Sequence, residues 1–130
     1  MKRILLITIF TLFIFAVQNV SAQTETRIQF EKGKSSATVK GSTGANGVYY
    51  VVRAKSGQKL IVTLTPTSNL GIKIETEGAD GHAVLLREER GGTYEVGLEE
   101  SGDYTIFIGS INHKSVPFTL TVKITKMTDI

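Results

Sequence analysis

An all-β fold of the sandwich or barrel kind is what this 130-residue chain predicts, on three observations. From Thr26 onward, β-favouring runs alternate with turn clusters at a spacing of roughly ten residues. In the clearest runs, apolar and polar side chains alternate with the period of two that a strand with one buried face requires. Helical patterning has almost no place.

In chain order, strands are expected at 26–31 and 36–40, and "GSTGANG" from Gly41 then leads into a third at 48–54. "KSGQ" from Lys55 turns the chain into a fourth, 59–66, where "KLIVTLTP" sets Leu60, Val62 and Leu64 on one face and Ile61, Thr63 and Thr65 on the other. Pro66 closes that strand. A fifth at 71–76 is followed by "EGADG" from Glu77, a sixth at 83–88 by "ERGG" from Glu89, and a seventh covers 93–98. The eighth, 103–109, aligns Tyr104, Ile106 and Ile108. The ninth, 116–126, aligns Phe118, Leu120, Val122 and Ile124, with Pro117 at its start, where a missing N–H is tolerated. The glycines sit in the connectors, where positive φ without steric cost makes tight reversals. No Gly-x-Gly-x-x-Gly opens a helix, so nothing supports a nucleotide site.

Ahead of these runs stands "MKRILLITIFTLFIFAVQNVSA". Its basic start at Lys2 and Arg3, apolar stretch and small residues at Val20 and Ala22 form the pattern of a secretory signal peptide, 1–22, cut after Ala22. A retained membrane anchor is the alternative, but the apolar run is short for a bilayer span. No Cys follows the run, so a lipoprotein anchor has no acceptor, and the mature form is expected free of the membrane, in the periplasm or secreted. Residues 23–130 then make one domain. Lys2 and Arg3 account for two of the fifteen basic residues, leaving thirteen against twelve acidic ones. These are scattered rather than gathered in a stripe, which argues against nucleic acid as a partner. With no Cys in the chain there is neither a disulfide nor a thiolate, and stability must come from burial.

Catalysis finds little to work with. The two histidines, His82 and His113, fall in expected turns, and neither they nor any Cys offer zinc-ligand spacing. The carboxylates Glu88 and Glu89, Glu99 and Glu100, and Asp103 lack the EF-hand pattern. Adjacent strand residues also point to opposite faces, so Glu99 and Glu100 are not presumed to meet one substrate. No enzyme activity, metal or cofactor is expected.

The block "IQFEKGKSSATVKGSTGANGVYYVVRAKSGQKLIVTL" from Ile28, with "ESGDYTIFI" from Glu100 and the closing apolar strand, resembles the periplasmic inhibitors of goose-type (g-type) lysozyme. It also resembles the wider family of bacterial pre-peptidase C-terminal domains, which are secreted β-sandwiches. "SGQKLIVTL" from Ser56 is common to that wider family, whereas "FEKGKSSA" from Phe30 is more particular to the inhibitors. "SGDY", Ser101, Gly102, Asp103 and Tyr104, answers to a Ser-Gly-x-Tyr motif that the resemblance associates with a loop inserted into the enzyme's cleft. On that reading Ser101 and Tyr104 donate hydrogen bonds there, and Gly102 lets the tip turn tightly. Tyr104 has a second reading, as a core ring whose hydroxyl ties to nearby backbone. Ser101 likewise could simply accept a backbone hydrogen bond of the turn. The loop "GSINHKSV" from Gly109 is shorter and less basic than the resemblance implies, leaving His113 and Lys114 as candidates for a secondary contact. Glu99 and Glu100 are candidates for a secondary contact as well, and with Asp103 they would steer a basic enzyme.

The expectation is therefore a single exported antiparallel β-sandwich, jelly-roll-like, of eight to nine strands. It would inhibit g-type lysozyme by inserting the turn 99–104. The alternative is a stand-alone secreted module that binds envelope glycans or proteins and inhibits nothing.

Overall fold

The computed structural model describes residues 25–127; the expected signal peptide and its cut after Ala22 lie outside the described residues. All nine expected strands form: β1 (Glu25–Arg27), β2 (Ser36–Ser42), β3 (Val48–Ala54), β4 (Gln58–Thr65), β5 (Leu70–Glu77), β6 (Ala83–Arg90), β7 (Gly92–Gly97), β8 (Gly102–Ser110) and β9 (Pro117–Lys126). They build a five-stranded sheet in the order β1-β3-β8-β5-β6 and a four-stranded sheet in the order β2-β9-β4-β7. From β2 to β9 every step along the chain crosses between the sheets, except the β5–β6 hairpin. This is the jelly-roll arrangement. Its connections gather at the two ends of the sandwich, so a loop at one end is shared by both sheets.

Alternation builds the core. Leu60, Val62 and Leu64 of β4 stand opposite Ile124, Val122 and Leu120 of β9, and Val52 and Tyr50 of β3 stand opposite Tyr104 and Ile106 of β8. Val52, Leu60, Val62, Leu64, Ile106, Ile108, Leu120 and Val122 are wholly buried. Each such side chain contributes about 1.5–3 kcal/mol by leaving water, and in a chain without disulfides this is the main source of stability. The outer face of the four-stranded sheet is polar, with cross-strand threonine pairs Thr38–Thr121 and Thr63–Thr93 at 3.3 and 3.1 Å.

One pairing departs from the antiparallel expectation. β1 runs parallel to β3, with Thr26 opposite Tyr50, and the Ile28 N–H continues the pairing by donating to the Val51 carbonyl at 2.8 Å. The cause is two reversals. The chain turns at Gly33 (φ 83°) into β2, then turns again through the 43–47 loop into β3, so β1 and β3 point the same way. In that second loop Gly47 has φ 85°, and the Phe107 ring stands where a Cβ would project, so the position excludes a side chain on both counts.

Candidate functional site

The "SGDY" segment lies where the chain leaves the four-stranded sheet at β7 and enters the five-stranded sheet at β8. Its turn is clamped at both ends. Before it, Leu98 is buried; its N–H donates to the Gln58 carbonyl and its own carbonyl accepts from the Gly57 N–H, both at 2.9 Å. After it, Tyr104 sits at 2% exposure between Val52 of β3 and Thr76 of β5. The Tyr104 hydroxyl reaches back and donates to the Glu100 carbonyl. Of the two roles open to this residue, the ring therefore takes the structural one. Burial pushes its hydroxyl pKa up, so it stays a neutral donor under physiological conditions.

Between the clamps, Glu99, Glu100, Ser101 and Asp103 are exposed. Gly102 has φ 150°, and a Cβ built there would meet nothing within 4 Å, so glycine is favoured by the backbone rather than by crowding. Ser101 Oγ accepts the Ser56 N–H of the β3–β4 connection at 3.0 Å. A hydroxyl accepts and donates at once, so this bond positions the oxygen and leaves its hydrogen free for another molecule. The structural and the contact reading of Ser101 are compatible.

Asp103 is held by its own fold. Arg27 donates to both carboxylate oxygens at 3.1 and 3.0 Å, Arg53 stands 3.7 Å away, and the Thr76 hydroxyl donates to the Asp103 carbonyl at 3.1 Å. The hydrogen bond from Arg27 holds this carboxyl below the usual carboxylate range, with the charges of Arg27 and Arg53 adding to it. Because folding lowers this pKa, the fastening contributes stability above the unfolded value of about 3.9 and loses it as pH falls through the folded value. The melting temperature should therefore fall more steeply below about pH 4 in the wild type than in Asp103→Asn. Thermal melts of the two proteins across the acid range check this, and parallel profiles would refute it.

Two clefts flank the turn. The first, of about 370 Å³, is bounded by the β5–β6 hairpin and by Val96, Glu99 and Glu100. The second, of about 540 Å³, is lined by Lys34, Arg53, Lys55 and Ser101 over Phe30 and Ile124. Acid thus lies on one side of the turn and base on the other.

His113 and Lys114 are elsewhere. Their loop follows the far end of β8, whose nine residues at about 3.4 Å each put it roughly 30 Å from Ser101. There Thr43, buried and polar, receives the Val116 N–H at 3.0 Å and donates to the Gly44 carbonyl at 2.8 Å, tying the 43–47 loop to the 111–116 loop. The two histidines lie at opposite ends of the sandwich, since β5 runs from the His113 end to the His82 end. Among the described residues no three His, Cys, Asp or Glu side chains converge as metal ligands, and no helix is long and apolar enough to cross a membrane. Sequence reasoning missed Arg27, Arg53, Ser56 and Leu98, the supports of the turn. Arg27 is 76 residues from Asp103 and nothing local marks the pair.

No family model matches the chain, and no curated protein does. Solved structures do. PliG of Aeromonas hydrophila, a periplasmic lysozyme inhibitor of g-type lysozyme, is 30% identical with a TM-score of 0.68, over 78% of this chain and 96% of that one. A mutant of the Escherichia coli PliG is 22% identical with a TM-score of 0.60, over 80% and 100% of the two chains. The Salmonella Typhimurium PliG is 18% identical with a TM-score of 0.59, over 78% and 98%. The last two show the shared fold, while the first, at its identity and nearly complete coverage, reaches further: this chain belongs to the family of periplasmic inhibitors of g-type lysozyme.

Proposed function

We propose that this protein is an exported inhibitor of g-type lysozyme, without catalytic activity of its own, that acts by placing the turn 99–104 in the enzyme's active-site cleft. The observation that carries the reading is Ser101. Its oxygen is fixed by the Ser56 N–H, its hydrogen is uncommitted, and it stands exposed on a turn clamped by buried Leu98 and Tyr104. A segment ordered in advance loses little conformational entropy on docking, so its contacts are kept as affinity. Glycoside-cleaving clefts are built around carboxylates. The Ser101 hydroxyl, with Arg53 and Lys55 along the cleft beside it, supplies the donors and positive charge that such groups attract. Ser101, Gly102 and Asp103 form the contact, while Tyr104 acts from beneath as its anchor. Glu99 and Glu100 are free to steer; Asp103 is largely neutralised by Arg27. His113 and Lys114, at the other end of β8, would need a second contact remote from this one.

The test is a clearing assay. The mature protein, mixed with a g-type lysozyme and a peptidoglycan suspension, should preserve turbidity at near-stoichiometric ratios and should fail to do so against a lysozyme of another type. Clearing at the uninhibited rate with excess protein would overturn the reading.

A further inference from the structure

We propose that the first cleft beside the turn receives one long basic side chain, Lys or Arg, projecting from the enzyme next to its active site. This rests on the inhibitor reading and adds a second point of recognition to it.

The floor of the cleft is apolar and open. β6 is the edge strand of its sheet, and an irregularity in its pairing, between Ile74 and Glu75 on β5, moves it away from regular register. Val84 and Leu86 remain 43% and 37% exposed, beside Val96 of β7 and the rim of the Tyr104 ring. Gly78 and Gly97 line the walls without side chains of their own. This small apolar floor, open to water, is available to a partner's side chain.

The rim selects that side chain. Glu77, Glu99 and Glu100 bound the same slot, and among the described residues none of them is ion-paired; Glu25, Glu75 and Asp80 are also unpaired but do not line it. Three uncompensated carboxylates exclude an anion and penalise a purely apolar guest. The side chains that combine an aliphatic stem with a charged head are Lys and Arg, whose stem would lie on Val84 and Leu86 while the head reaches the carboxylates. Continuity fixes the source. Glu99 and Glu100 belong to the turn that would enter the enzyme, so the partner surface that closes over this slot is the lip of the enzyme's own cleft.

Two measurements separate this inference from the reading beneath it. In the first, binding to a g-type lysozyme is followed by surface plasmon resonance. Leu86→Lys, which fills the slot with a competing cation, should weaken binding by about tenfold or more, chiefly through faster dissociation. Its melting temperature should hold, because Leu86 is partly exposed. Glu99→Gln/Glu100→Gln should bind more weakly and with a shallower salt dependence. Unchanged binding by both variants, beside a wild type that binds, would overturn the inference and leave the inhibitor reading standing. In the second measurement the enzyme is absent. N-acetylarginine methylamide, titrated into the methyl-labelled protein, should shift the Val84, Leu86 and Val96 signals saturably. N-acetylnorleucine methylamide and chitotriose should not. No shift, or equal shifts from all three probes, would overturn the inference whether or not the enzyme binds; if the wild type fails to bind the enzyme, the inhibitor reading falls and the assignment of the slot to a side chain of the enzyme falls with it.

Discussion

Tyr104→Ala should lower folding stability by about 3–5 kcal/mol, the range for emptying a large aromatic site in a packed core. The ring is almost fully buried, faces Val52 across one ladder and Thr76 across the other, and lies beside the wholly buried Ile106 stripe, so neighbours on two strands lose contact at once. In a domain of this size such a loss lowers the melting temperature by upwards of about 12 °C. Tyr104→Phe separates packing from tethering. It keeps the ring and removes only the hydroxyl that donates to the Glu100 carbonyl, at a cost of about 0.5–1.5 kcal/mol. The turn loses its strap while the core is retained, so inhibition should weaken out of proportion to stability. Urea unfolding of the two variants, followed by titration against a g-type lysozyme, measures both quantities. An Ala variant as stable as the wild type would show that the ring is not core, and a Phe variant inhibiting at full strength would show that the strap does not hold the turn.

The same residue marks how far the sequence could be read. Alternation is local, so Tyr104, Ile106 and Ile108 could be placed on one face from nine residues of text, and the face is the buried one. The nine strands were legible because β-favouring runs set between turn clusters are a local signal too, and glycine at a reversal is local chemistry. Pairing is not local. That β1 would run parallel to β3 depends on two reversals adding up, and that Asp103 would be clasped by Arg27 depends on β1, β3 and β8 lying side by side. β6 shows the limit from the other side. Its consecutive Val84, Leu85 and Leu86 would suit a buried strand, yet all three are exposed, because β6 is an edge and the opposing sheet stops at β7. "SGDY" marked the place of the candidate site. Its exposure, its clamps and the two oppositely charged clefts beside it are products of the jelly-roll crossing, which brings the β3–β4 and β7–β8 connections to one end.

Ser101→Trp should weaken inhibition by about thirtyfold or more while leaving the fold nearly intact. Ser101 is exposed and its one bond is with the Ser56 N–H, an exposed donor that water can satisfy, so removing the hydroxyl costs the fold about 1 kcal/mol or less. At the tip of an inserted turn the same change has a different scale. A small polar side chain fitted to a cleft is replaced by a large rigid one, and the loss at the centre of a packed interface is about 2–4 kcal/mol, or roughly thirtyfold to a thousandfold in the inhibition constant. Ser101→Ala and Ser101→Thr resolve the cause. Ala removes the donor hydrogen and the acceptor for Ser56 without adding bulk; Thr keeps both and adds one methyl group. If hydrogen bonding to the enzyme dominates, Ala should fall well below Thr. If clearance dominates, Thr should fall below Ala. Inhibition constants from initial clearing rates, set beside melting temperatures for all three variants, distinguish the cases. A Trp variant that inhibits like the wild type would place the contact elsewhere on the sandwich and end the insertion mechanism, because a cleft that admits this turn closely has no room for an indole at its tip.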